Sequence, residues 1–164
     1  MSNSSSIVYW ITGVSGSGKS TFASILKDEL KIKNINSIII DGDEIRELLG
    51  NKYNYSKEER LKIAKIYSKL AKLISSQGVT TIVSTISLFN EVHEWNRKNI
   101  SNYKEILIKR DMREIIKDDK KCIYQQDNVV GEKIQPEYPK NPEFIVENIK
   151  KKEINKFIKK IILK

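Results

Sequence analysis

Cysteine and histidine are nearly missing from this 164-residue chain, which holds one of each, Cys122 and His93. One cysteine closes no internal disulfide, and one Cys with one His cannot supply the three or four side chains of a protein zinc site. Disulfide scaffolds and structural zinc are excluded. Prolines number three and glycines seven, too few for a collagen-like or low-complexity chain. Long hydrophobic runs are missing too: the apolar stretches break well before the ~20 residues of a membrane-spanning helix. Residues 1–6 bring no basic segment, and Ile7–Thr12 is too short for the core of a signal peptide. The expectation is a cytoplasmic protein without a membrane span, frayed over residues 1–6.

What is present fits a single domain spanning residues 1–164, with 39% apolar residues to build its core. The net charge of +9 invites a nucleic-acid reading, but seven lysines and one glutamate fall within residues 150–164, so the other 149 residues carry only +3. In that basic tail Ile154, Phe157, Ile158, Ile161 and Ile162 recur at helical spacing. The pattern predicts a terminal helix docked on the domain, with no nucleic-acid partner. The alternative is a nucleotide-dependent binding module that contacts nucleic acid or a membrane surface through this tail.

β-Branched runs predict buried strands at Ile7–Thr12, Ser37–Ile40, Val79–Ile86, Ile106–Ile108 and Phe144–Val146. Helices are predicted between them at Lys19–Ile32, Asp43–Leu49, Ser56–Ser76, Asn90–Ile100 and Arg113–Lys121. Ser56 with Glu59 reads as a capping box, and Gly78 as the stop of the long helix. Pro136, Pro139 and Pro142 mark an extended loop before the last strand. The alternation defines an α/β class, a parallel sheet with helices on both faces. His93 reads as a surface residue, and Trp95, Tyr53 and Tyr67 as packing residues.

Directly after the first strand stands Gly13-Val14-Ser15-Gly16-Ser17-Gly18-Lys19-Ser20, followed by Thr21. This is a full G-x-x-x-x-G-K-[ST] phosphate loop in the strand-loop-helix context the motif requires. Its glycines let successive N–H groups and a helix N-terminus face a polyphosphate, with Lys19 on the β and γ phosphates and Ser20 on Mg²⁺. ATP and Mg²⁺ are the expected cofactors, bound by Gly13, Ser15, Gly16, Ser17, Gly18, Lys19, Ser20 and Thr21. At the end of the second strand comes Asp41-Gly42-Asp43-Glu44-Ile45-Arg46, where ligands bind in open parallel sheets. Asp43 can accept a proton from an attacking hydroxyl, Asp41 can help hold Mg²⁺ through water, and Arg46 can grip an anionic acceptor. The alternative is that these aspartates merely cap the helix that follows. With no N-K-x-D guanine signature, a small-molecule kinase is favoured over a GTP switch. Lys109, Arg110 and Arg113 are within sequence reach of ATP, with solvated charges as the commoner outcome.

Several motifs in one order resemble the adenylyl-sulfate kinase (APS kinase) family of P-loop NTPases, with a fold similar to nucleoside-monophosphate kinases. They are GVSGSGKST at 13–21, DGDEIR at 41–46, YSKEER at 55–60, STIS at 84–87 and YPKNPE at 138–143. Members transfer the ATP γ-phosphate to the ribose 3′-hydroxyl of adenylyl sulfate. The resemblance implies that Asp43 and Lys19 are catalytic and that Asp41, Asp43, Arg46, Tyr55, Arg60, Ser84 and Ile86 line the acceptor site. It also implies a lid over residues 111–131 and a homodimer. Departures cluster on the acceptor side: Ile63 replaces a family asparagine, Thr85 and Leu88 alter the STIS neighbourhood, and Val129 replaces a stacking phenylalanine. An aromatic stacked on a base contributes about 1–3 kcal/mol, so its loss disfavours adenine. The lid sequence Asn128-Val129-Val130-Gly131 resembles the branch of cytidine diphosphoramidate kinases, which act in capsular phosphoramidate synthesis. The expected acceptor is therefore cytidine diphosphoramidate, with adenylyl sulfate as the alternative.

Overall fold

The computed structural model describes residues 6–50, 53–118, 130, 134–148 and 151–163. Strands β1 (Val8–Thr12), β2 (Ser37–Asp41), β3 (Thr80–Thr85), β4 (Tyr103–Lys109) and β5 (Phe144–Glu147) form one sheet in the order β2-β3-β1-β4-β5. Every pairing is parallel. Parallel neighbours need crossovers, and these are α1 (Lys19–Ile32), α2 (Gly42–Leu48), α3 (Lys57–Ser76), α4 (Asn90–Asn99) and α5 (Met112–Lys117), with α6 (Lys151–Ile162) after β5.

The central strand explains its own composition. All five residues of β1 are buried, so Val8-Tyr9-Trp10-Ile11-Thr12 reads as a continuous apolar run rather than an alternating one. Tyr9 and Ile11 face Phe22 and Leu26 of α1, while Val8 and Trp10 face Ile63, Ala64 and Tyr67 of α3 and Val92 of α4. Both faces of the sheet are thus covered by helices, as the alternation predicts. The basic tail uses its apolar stripe on the first face: Ile154, Ile158 and Ile161 are buried, and the Phe157 ring lies edge-on to Phe22 and Phe144.

Helix ends follow local chemistry. The Ser56 hydroxyl accepts from Glu59 N, but the reciprocal half of the predicted capping box is missing. Asn54 Oδ1 takes the Ser56 N–H instead, and the Glu59 carboxylate pairs with Lys62. Gly78, at φ +86°, follows the Gln77 cap. Most predicted bounds shift by a residue or two. The larger difference is β4, which starts three residues before the predicted strand because Tyr103 registers against Val8. Lys104 and Glu105 interrupt the apolar pattern and hide that start. Helix α5 ends at Lys117, and residues 119–121 of the predicted helix lie outside the described set.

Glu105 is fully buried, and its neighbours correct the surface assignment of His93. His93 is only 4% exposed, and its Nδ1 lies 2.7 Å from Glu105 Oε1, outside hydrogen-bond alignment. Tyr103 Oη donates to Oε1 at 2.7 Å, and Arg97 Nη2 to Oε2 at 2.6 Å. Arg97 also reaches Glu143 Oε1 and Asn141 O, which ties the proline-rich loop to α4. Burial pushes the Glu105 carboxyl up, but His93, Tyr103 and Arg97 outweigh it and hold it below the usual range. Such a carboxylate contributes stability that is present above its unfolded value, near 4.5, and is lost as the pH falls through the lower folded value. Glu105→Gln should therefore destabilise the fold by about 2 kcal/mol at neutral pH, a buried-pair loss reduced because Arg97 is partly solvated. Denaturant unfolding at neutral pH and near pH 3 checks this: the gap should narrow in acid, and a gap independent of pH would refute it.

Candidate active site

The phosphate loop leaves β1 at Thr12 under a hard steric constraint. Gly13 has φ +153°, and a Cβ there would come within 2.3 Å of the Ile108 carbonyl oxygen on β4. Only glycine fits. Ser17 N donates to Val14 O at 3.3 Å to close the turn, and Gly18 in the left-handed region (φ 99°) caps α1 without a side-chain hydrogen bond. A 14-residue helix therefore directs its first N–H groups into the loop with no acidic residue in its first turn. Ser17 Oγ is buried there without a hydrogen-bond partner. These features suit a polyphosphate. Lys19 is 9% exposed, and its Nζ donates to Val14 O at 2.7 Å. Burial pushes the Lys19 ammonium down to about 8, with Asp43 and Asp41 partly offsetting the fall.

Register brings the second motif alongside. Asp41 pairs with Ser84 of β3, and Ser84 pairs with Ile11 of β1, so the end of β2 emerges beside the phosphate loop. Asp41 is the N-cap of α2: its Oδ1 accepts from Asp43 N at 2.9 Å. Its other oxygen, Oδ2, accepts from Ser20 Oγ at 3.2 Å. Capping thus falls on Asp41, and Asp43 stays exposed. A hydroxyl beside one carboxylate is a hard-oxygen pair suited to Mg²⁺, which completes its shell with phosphate oxygens and water. Among the described residues no cluster of three His, Cys, Asp or Glu side chains forms a dedicated metal cage.

Ahead of α3, Tyr55 is 54% exposed, and two guanidinium groups approach its ring. Arg46 lies 4.9 Å and Arg60 5.0 Å from the ring centroid. Arg46 donates to Tyr53 O and Arg60 to Tyr55 O. Burial and the neighbouring Arg46 lower the pKa of Arg60 from its ordinary value. Beneath this group the buried Tyr67 donates its hydroxyl to Gly42 O at 2.9 Å. Ser84 Oγ and Thr12 Oγ1 are buried at the strand ends without partners.

Ile86 packs with Val14, Leu88, Ile115 and Val130, against the phosphate loop. Val129 lies outside the described residues. Ile63 is buried against the sheet, and Thr85 Oγ1 shares a 2.9 Å hydrogen bond with Ser87 Oγ. Of the three basic candidates at the end of β4 and just beyond it, Arg110 reaches the phosphate loop, at 3.5 Å from Gly16 O, while Asp118 and Glu114 also engage it. Lys109 pairs with Glu147, and Arg113 with Asp111. Sequence spacing alone does not separate these three.

A polyphosphate cradle at the end of a central parallel strand, facing a carboxylate turn and paired guanidinium groups, is the arrangement of a P-loop kinase. The family model for adenylylsulphate kinase matches residues 5–147, and the chain belongs to that family. It is an enzyme that transfers phosphate to a hydroxyl group. A cytidine diphosphoramidate kinase of Campylobacter jejuni is 40% identical over 163 residues, covering 96% of this chain and 95% of that protein. A probable adenylyl-sulfate kinase of Archaeoglobus fulgidus is 32% identical, covering 88% and 97%. The Mycobacterium tuberculosis APS kinase, solved with AMPPNP and APS, superposes with a TM-score of 0.86 at 25% identity, covering 96% of this chain and 95% of that one.

Lys19 supplies a test of the cradle. In the free protein its ammonium loses its proton near pH 8, and an adjacent phosphate favours the charged form. ADP binding above about pH 8 should take up a proton, so affinity should fall by up to about tenfold per pH unit there and stay flat with respect to Lys19 below it. Calorimetric titration in two buffers of different ionisation enthalpy measures this uptake. Lys19→Met should abolish it, and affinity unchanged through pH 10 would contradict the assignment.

Proposed function

We propose that this chain phosphorylates the ribose 3′-hydroxyl of cytidine diphosphoramidate, using ATP with Mg²⁺. The observation that carries the reading is the 40% identity over nearly the full length of both chains to the Campylobacter jejuni enzyme of that name, against 32% for the Archaeoglobus fulgidus relative. The pattern of change supports it. The phosphate loop is intact, whereas Ile63, Thr85, Leu88 and Val129 stand where the resembling family has other residues. Adenylyl sulfate is the competing acceptor.

In this reading Gly13, Ser15, Gly16, Ser17, Gly18, Lys19, Ser20 and Thr21 hold the triphosphate. Ser20, with Asp41 through water, would hold Mg²⁺, which would supply positive charge against the β and γ phosphates. Asp43 takes the proton of the 3′-hydroxyl as its oxygen forms the new bond to the γ-phosphorus. The bond from that phosphorus to the β-bridging oxygen breaks, and ADP departs. Arg46 and Arg60 hold the acceptor's anionic group, with Tyr55 beneath its base and Ser84 along the pocket. The enzyme works as a homodimer in the cytoplasm, in capsular phosphoramidate synthesis.

Side-by-side kinetics with ³¹P NMR of the product test the acceptor. A higher kcat/KM for cytidine diphosphoramidate, with phosphate on the 3′-oxygen, is expected, and a clear preference for adenylyl sulfate would overturn the reading. Asp43→Asn should leave ATP binding intact and lower turnover by about 10²- to 10⁴-fold. Unchanged turnover would strip Asp43 of that role. Arg46→Ala should raise the acceptor KM, and a defect confined to ATP would contradict its assignment.

A further inference from the structure

We propose that Tyr67 is a positioning residue for phosphoryl transfer, its hydroxyl fixing the turn that presents Asp43. The inference rests on the role given to Asp43 above. Tyr67 projects from α3, and its ring packs in the core beneath the sheet face that carries Trp10 and Val83. A phenylalanine would fill the same space. The hydroxyl adds nothing to that apolar packing, and it is spent on one atom, the carbonyl oxygen of Gly42 at 2.9 Å.

Gly42 is the residue between the two aspartates, and its backbone is held from three directions. The Asp41 carboxylate holds the next N–H, that of Asp43, at 2.9 Å. From below, β3 leaves little room: a Cβ on Gly42 would lie 3.3 Å from Thr85 Oγ1 and 3.6 Å from Ser84 O. The Tyr67 hydroxyl holds the carbonyl. Without it the turn keeps its cap, its floor and the backbone bonds of α2 but can tilt about them, carrying the Asp43 side chain with it. Near-attack geometry tolerates little of this, since a displacement of about 1 Å can lower a rate by about 10²-fold.

The surroundings agree. Arg46, Asp43, Asp41 and Tyr55 all act electrostatically on the Tyr67 hydroxyl, which places it at the base of the acceptor-side cluster. Burial pushes the phenol up to about 12, so it stays a protonated donor throughout any practical assay range. The bond reaches from α3 to the first turn of α2, 25 residues apart in sequence.

Tyr67→Phe tests this, because it removes one oxygen and keeps the ring. At saturating acceptor, kcat should fall about tenfold, the fold-change of one lost hydrogen bond expressed in the transition state, while the KM for ATP stays within about twofold. Thermal unfolding measured alongside reports any general loosening. A lower melting temperature with unchanged kcat would mean the hydroxyl serves stability alone and would overturn the proposal. A double-mutant cycle adds an independent readout: with Asp43→Asn already present, Tyr67→Phe should reduce kcat by less than about twofold, because the group it positions is gone. Full additivity would also overturn it. If Asp43→Asn alone leaves turnover intact, the role of Asp43 is what fails. A normal kcat in Tyr67→Phe beside an inactive Asp43→Asn refutes Tyr67 alone.

Discussion

A single carboxylate joins the two halves of this site. Asp41 spends one oxygen on the backbone N–H of Asp43 and the other on the hydroxyl of Ser20. The first contact starts α2 and sets the direction of the residues that follow, Arg46 among them. The second ties that turn to the first residues of α1, so the phosphate loop and the aspartate turn share a common anchor. A neutral amide at this position could keep one contact as an acceptor, yet it would lose the negative charge that strengthens both. The placement of Asp41 depends in turn on the parallel register, which brings Asp41, Ser84 and Ile11 into one row.

Charge is distributed with a division of labour. The buried carboxylate of Glu105 is surrounded by Tyr103, Arg97 and His93 and serves to lock α4, β4 and the proline-rich loop together. Around the site the pattern differs: a buried ammonium at Lys19 faces backbone and two nearby aspartates, and two guanidinium groups crowd one tyrosine ring. Crowded like charges and a desolvated cation are unfavourable in a free protein and become favourable when an anion arrives. The net charge of the chain says little about either group. Most of its excess falls within residues 150–164, where the apolar face of α6 is docked and its lysines at 156, 159 and 160 are exposed.

Local rules carried the sequence reading where one segment decides the outcome. The phosphate loop is legible because glycine spacing, a preceding β-branched strand and a following helix all lie within about 25 residues. Helix α1 matches its predicted bounds for the same reason. A lone polar residue in a helix says nothing of its partner, so the burial of His93 is not legible locally: Glu105 lies 12 residues further along on another element. The start of β4 was missed because buried polar residues break the apolar pattern from which strands are read. A packing role for Tyr67 describes its ring and omits its hydroxyl.

The amino-acid sequence by itself determined the α/β class, the phosphate loop and the identity of the aspartate turn, since each is written in contiguous residues whose backbone preferences and periodicity act locally. Only the tertiary structure decided which aspartate caps the helix, which of Lys109, Arg110 and Arg113 reaches the loop, and where Ile86 packs. It also decided that the Tyr67 hydroxyl meets Gly42. These outcomes depend on distances between strands and helices far apart in the chain, fixed by sheet register and by the packing of α3 and α4 on one face, and no local pattern encodes them.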